Sequence, residues 1–182
     1  RLLSHNRVPM GLKPIAQALD LVPSTALHIL RALVAERLLQ FDVQTKRYKL
    51  GVGMLPLARA ALESTDFPSL VRPKLVDLAG RYGVTAIGVE VPDLDNMIVV
   101  ALSRAQAPVR LHVDVGSRFP ALISATGRCV AAFSEHPLKE IEKRFRSLRW
   151  HNAPGYDAWR KEVALARRQG FSIDRGNYIA GV

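Results

Sequence analysis

The chain holds a single cysteine, Cys129, and five scattered histidines. One cysteine excludes an intramolecular disulfide and a thiolate zinc cluster, and it suits a reducing, cytoplasmic setting. The histidines show no H-E-x-x-H or comparable metal spacing. No apolar run approaches the ~18 residues of a membrane-spanning helix, and the amino end lacks the apolar stretch of a signal peptide. Gly51, Val52 and Gly53 form a G-x-G without the rest of a nucleotide-binding fingerprint, so they read as a flexible turn and helix cap. Asp93 and Asp95 lack the other oxygens that a calcium loop supplies. No cofactor, metal or membrane partner is therefore expected. Catalysis would have to rest on Cys129 with His112 or His136, and a cysteine inside an apolar helix is ordinarily inert packing.

What remains is a chain of 182 residues, 48% hydrophobic, with a formal net charge of +10. That length allows one large or two small domains with real cores, and the charge favours a polyanionic partner. Residues 1–66 carry +4 and the rest +6, so charge alone does not locate the contact. The first residue is arginine, and residues 1–6, with Leu2 and Leu3, read as the tail of a helix whose beginning is absent. The sequence is expected to be a fragment.

Residues 12–50 organise the rest. Leu12, Ile15, Ala16 and Leu19 fall at i, i+3, i+4 and i+7, one apolar stripe on a short helix. Asp20, Leu21 and Val22 interrupt it, and Pro23 restarts a helix where its missing N–H costs nothing. On this second helix Leu27, Leu30 and Val34 share one side, and Ser24, His28 and Arg31 the other. A recognition helix needs that division, with an apolar back packed on its neighbour and a hydrogen-bonding front offered to the major groove. The period then changes to two. Tyr48 and Leu50 are expected to face the core, with Arg47 and Lys49 in solvent, opposite a strand around Leu39, Gln40 and Phe41. Lys46 and Arg47 sit near the hairpin tip, within reach of phosphates or the minor groove. Residues 7–11 are read as a linker or a short third strand. The pattern is a winged helix-turn-helix, although two packed helices with an ordinary solvated face would share its periodicity.

The run IAQALDLVPSTALHILRALVAERLLQFDVQTKRYKLG resembles the DNA-binding domain of the IclR family of bacterial transcriptional regulators. In that family a serine and a threonine open the recognition helix, here Ser24 and Thr25. The wing closes with Arg-Tyr-x-Leu-Gly, here Arg47, Tyr48, Lys49, Leu50 and Gly51. Two positions depart from the pattern: Asp20 in the turn and Arg37 at the end of the recognition helix stand where glycine is common.

Downstream, residues 54–65 form a helix with a stripe of Met54, Leu57, Ala58, Ala61 and Leu62, either a passive linker or a dimer-forming strut. Residues 68–82 form another, with Val71, Leu75, Leu78, Ala79 and Tyr82 inward and Gly83 ending it. Strands are expected at 84–91 and 97–103, joined by a turn over 92–96, and a third at 109–115 with Val109, Leu111, Val113 and Val115 buried. A loop rich in small residues, Ser124, Ala125, Thr126, Gly127 and Arg128, then enters a helix ending near Phe133. Small residues let a ligand approach the backbone, and a helix amino end supplies free N–H groups to a carboxylate; the same residues would equally permit tight packing. Helices at 136–146 and 156–169 follow, the second turning Trp159, Val163 and Ala166 inward and capped by Gly170, and a strand is expected to start at 171–174.

The resemblance extends to this half. It implies an α+β protein: a winged helix-turn-helix at 1–51, a linker and dimerisation helix at 52–66, and a GAF-like α/β effector-binding domain with an antiparallel sheet at 67–182, its last strands missing. Asn177 and Ala180 replace a frequent acid and proline of the family's approach to those strands. It further implies a cytoplasmic homodimer or dimer of dimers that binds double-stranded operator DNA, with Ser24, Thr25, His28, Arg31, Lys46 and Arg47 as contacts. Ser124, Ala125, Thr126, Gly127 and Arg128 would meet a small carboxylate effector, aromatic acids included, in control of a catabolic or central-metabolism operon. Arg118 is a second candidate anion anchor. The alternatives are a DNA-binding protein without effector and an enzyme using the second domain.

Overall fold

The computed structural model describes residues 2–6, 8–64, 66–105 and 113–178. The chain divides between Asp66 and Phe67 into two compact units. In the first, α1 (Leu2–Asn6) precedes a two-residue strand β1 (Met10–Gly11), then α2 (Leu12–Ala18), α3 (Pro23–Ala35), β2 (Leu39–Asp42), β3 (Arg47–Leu50) and α4 (Met54–Glu63). The strands form an antiparallel sheet in the order β1-β3-β2, with Tyr48 opposite both Met10 and Phe41. Ile15, Leu30, Leu39 and Tyr48 make the core, and Phe41 and Tyr48 pack with ring centroids 4.7 Å apart. This is a winged helix-turn-helix, with Met10 and Gly11 supplying the third strand. On α3 the fully buried residues are Ala26 and Leu30, while Leu27 and Val34 are partly covered.

Both departures from glycine lie where the backbone is left-handed, Asp20 at φ 52° and Arg37 at φ 59°. After α2, the Leu21 N–H donates to the Ala16 carbonyl at 2.9 Å and Asp20 N–H to that of Gln17 at 3.2 Å. After α3, Leu38 N–H donates to Leu33 at 2.9 Å and Arg37 N–H to Val34 at 2.9 Å. Each is a Schellman ending, whose left-handed position glycine normally fills. Both helix ends thus take the form that glycine normally makes, with aspartate and arginine in its place. Aspartate tolerates this conformation and arginine does so less well. Arg37→Gly is therefore expected to stabilise the first unit by about 1 kcal/mol, and Asp20→Gly by less, read as a rise in its melting temperature.

The turn after the wing is built on close approach. The N–H groups of Gly51 and Gly53 donate to the carbonyls of Leu38 and Arg37, at 2.9 and 3.1 Å. A Cβ on Gly51 would lie 2.2 Å from the Arg37 oxygen. Leu50, expected in the core, is 43% exposed. It faces the same side as Tyr48 but lies at the strand's end, on the lip of an apolar groove of about 330 Å³ that Leu19, Ile29, Leu33 and Met54 also line. None of the residues of α4 is buried.

The second unit starts with α5 (Phe67–Tyr82), then β4 (Thr85–Glu90), β5 (Asn96–Arg104), β6 (Arg118–Pro120), α6 (Ser124–Phe133), α7 (Leu138–Ser147) and α8 (Tyr156–Gln169). Its antiparallel sheet runs β4-β5-β6. Helix α5 packs on it through Pro68, Leu75 and Ala79, passing close over Gly88, where a Cβ would stand 3.2 Å from Val71. Leu78 and Tyr82, expected inward, are 44% and 64% exposed: the apolar stripe is wider than the sheet beneath it. The turn over 92–96 is an Asx turn, in which Asp93 accepts from the N–H groups of Asp95 and Asn96, and Asp95 pairs with Arg144. Residues 109–112 of the expected third strand lie outside the described residues. Of its remainder, Val113 is buried but not in a strand, and Val115 is exposed, in a turn closed by Gly116. Among the described residues the sheet's third strand is the three-residue β6. The segment at 171–174 is not a strand either, since no described strand lies beside it to complete a ladder. A second core joins Leu94, Leu122, Ile141, Phe145 and Trp159, between α6, α7 and α8.

Candidate nucleic-acid interface and effector loop

Helix α3 begins with Pro23 at its first position and no side-chain cap, which leaves the N–H groups of its first turn free. Ser24, Thr25, His28 and Arg31 are all exposed along it, and the helix carries no carboxylate that would repel phosphate. The expected recognition face is therefore continuous and unobstructed. At the wing tip, Lys46 (φ 55°) and Arg47 are also exposed.

A residue that sequence reasoning passed over shapes that tip. Asp42 Oδ1 accepts from Gln44 N–H at 2.8 Å and Thr45 N–H at 3.1 Å, an Asx turn across the hairpin. The hydrogen bonds from Thr45, then that from Gln44, hold its carboxyl below its ordinary value of 3.8. Such a group stabilises the turn above its unfolded pKa and loses that contribution as pH falls through the folded one, so the wing turn weakens only in acid.

In the second unit, Ser124, Ala125 and Thr126 are half-buried at the start of α6, and Gly127 and Arg128 are buried. Ser124 has φ 55°. Gly127 packs tightly on the turn before it: a Cβ on it would fall 2.0 Å from the Leu122 carbonyl carbon. Arg128, 1% exposed, donates from Nε to Glu162 at 2.5 Å, from Nη1 to the Ser124 carbonyl at 2.8 Å and to Asp174 at 3.1 Å, and from Nη2 to Asn177 at 2.7 Å. Glu162, Asp174 and Asn177 escaped the sequence reading as a group because they lie 34 to 49 positions away. A cleft of about 520 Å³ opens beside this cluster, lined also by Gln169, Phe171 and Arg175. Arg118 is half-buried on β6. Burial pushes the Cys129 thiol up, against a backbone hydrogen bond with Ser172, so it is a neutral thiol near pH 7 rather than a thiolate nucleophile. Among the described residues no group of three histidine, cysteine or carboxylate side chains is placed to hold a metal.

Comparison with known proteins covers both units. The model of the IclR helix-turn-helix domain matches residues 1–43, and that of the bacterial transcriptional regulator IclR C-terminal domain matches residues 59–182. The HTH-type transcriptional repressor AllR of Salmonella paratyphi A is 24% identical over 178 residues, and the match covers 92% of this chain and 62% of AllR. The chain thus spans less than two thirds of that relative. The crystal structure of an IclR transcriptional regulator from Alicyclobacillus acidocaldarius superposes with a TM-score of 0.80 at 26% identity, over 95% of this chain and 70% of that one. An IclR homolog from Microbacterium hydrocarbonoxydans, solved in complex with 4-hydroxybenzoate, shares the fold at 19% identity and a TM-score of 0.73, over 97% of this chain and 73% of that one. With one family model matching residues 1–43, which hold α2 and α3, and the other matching more than half of the chain, the protein belongs to the IclR family of bacterial transcriptional regulators.

Proposed function

We propose that the protein is a ligand-responsive regulator that binds duplex operator DNA through α3 and the wing and takes a small organic carboxylate at the start of α6. The observation that carries the DNA half is the recognition face: Ser24, Thr25, His28 and Arg31 stand in solvent on a carboxylate-free helix, beside a basic hairpin tip held by Asp42. Arg31 offers paired donors to a base edge, while Lys46 and Arg47 neutralise phosphates. Fluorescence anisotropy across a salt series tests the division of labour. Replacing Lys46 and Arg47 by glutamine is expected to weaken binding to every duplex alike and to flatten the log K against log salt slope by up to about 2. An unchanged slope would remove the wing from the interface.

The effector half rests on the half-buried Ser124, Ala125 and Thr126 at a helix amino end, and on the neighbour that holds 4-hydroxybenzoate. A rise in the melting temperature of the second unit with 4-hydroxybenzoate or a related acid is the sign of occupancy, and no rise across a panel of such acids counts against it. The apolar groove around Leu50 and the exposed stripe of α4 support pairing of two copies through the first unit, which would bring two α3 helices to successive half-sites. Sedimentation as a single-chain particle at micromolar concentration would exclude that arrangement. Control follows if the effector prefers one placement of the paired heads over another.

A further inference from the structure

Ser124 opens α6 in a left-handed conformation, φ 55°, which a non-glycine residue holds only where its surroundings over-determine it. Arg128, one turn on, donates from Nη1 to the Ser124 carbonyl at 2.8 Å. That guanidinium cannot turn away, since at 1% exposure its other donors are taken by Glu162 on α8 and by Asp174 and Asn177 beyond it. The network continues outward. Asn177 Nδ2 donates to the Asn152 carbonyl at 3.2 Å, and the Asn152 N–H donates to the Asn177 carbonyl at 2.9 Å.

Position 177 makes chemical sense in this light. One guanidinium already faces two carboxylates, Glu162 and Asp174, so a third acid would be surplus charge. An amide accepts from Arg128 and also donates to Asn152, which a carboxylate cannot do.

We infer that Arg128 is a positioning residue for the effector loop rather than an anchor for the effector. It locks Ser124 left-handed, and so sets the direction of the free N–H groups at the start of α6. It also ties that setting to α8 and to the segment through Asn177, so loop and segment rearrange together. Its link to effector binding rests on the reading of residues 124–127 as the effector loop; the clamp itself does not.

A double-mutant cycle without ligand tests it. In the full chain, Arg128→Gln, Ser124→Gly and the double variant are compared by melting temperature of the second unit and by amide exchange at residues 124–126. If Arg128 acts through the Ser124 backbone, glycine relieves what the arginine was holding. The double variant then loses at least about 3 °C less than the two single losses combined, and Arg128→Gln alone speeds exchange at those amides. Where Arg128→Gln does not fold, Arg128→Lys takes its place, since one ammonium keeps the charge but cannot reach all four partners. Additive losses with unaltered exchange overturn the clamp, whatever any ligand does. The effector reading stands or falls separately, by the melt with aromatic acids.

Discussion

Gly127→Ala is expected to abolish the folded second unit, or to lower its melting temperature by more than 10–20 °C, roughly what a loss above 4 kcal/mol produces. The added Cβ would sit 2.0, 2.2 and 2.5 Å from the carbonyl carbon, oxygen and Cα of Leu122. These are backbone atoms, so no rotamer change relieves the clash. They belong to a residue that is 1% exposed and central to the second core. Relief requires α6 to move off the turn before it, which would break the hydrogen bond of 2.7 Å from the Gly127 N–H to the Ile123 carbonyl and pull Leu122 away from its neighbours. The control is the same substitution elsewhere. Gly80 lies within α5, and a Cβ there meets nothing within 4 Å. Gly80→Ala is expected to stabilise by about 0.5–1 kcal/mol, because alanine has the better helix propensity. Opposite signs from one chemical change, read by thermal melts of the two variants, would locate the effect in the contact and not in the residue type.

Trp159→Ala comes next in size, at about 3–5 kcal/mol. Trp159 is 1% exposed and joins an aromatic cluster, its ring 4.8 Å from that of Phe145 and 6.0 Å from that of Tyr156. Its removal opens a cavity bounded by α6, α7 and α8 that these rings cannot fill by small shifts. The indole N–H has no hydrogen-bond partner among the described residues, so the large loss comes from packing alone. Trp159→Phe, which keeps one ring in the site and forfeits no hydrogen bond, should accordingly lose less than half as much in urea unfolding. Equal losses in the two variants would mean that the N–H matters after all.

The parts of this molecule that could be read from sequence are those fixed by neighbours in the chain. The stripe from Leu12 to Leu19, Pro23 at a helix start and the alternation through Tyr48 are local, and each marks its element in the structure. Asp20 and Arg37 stood out as replacements for glycine, and both proved to be left-handed. Periodicity names the side of an element that is apolar but not whether anything covers it. Leu50, Leu78, Tyr82 and Val115 lie on the apolar side of their segments and are nonetheless substantially exposed. A three-residue strand such as β6 gives no periodic signal at all. For the small residues around Gly127, spacing leaves both ligand approach and tight packing open, and only the distance to Leu122 shows how closely that glycine is packed. Arg128 is the sharpest case. A cation beside a helix amino end reads as an anion anchor until Glu162, Asp174 and Asn177, remote in sequence, are brought onto it by α8 and the chain beyond.

The central claim is that the solvent-facing side of α3 reads DNA, and parallel selection of random duplexes by the wild type and by Arg31→Ala at one fixed salt concentration tests it most directly. The account requires the wild type to enrich a defined half-site. The variant should lose preference at a single base position, by roughly 5- to 150-fold for one lost bidentate contact, while its salt slope changes by no more than about 1. Failure of the wild type to enrich any sequence, or a variant profile identical at every position, would contradict it.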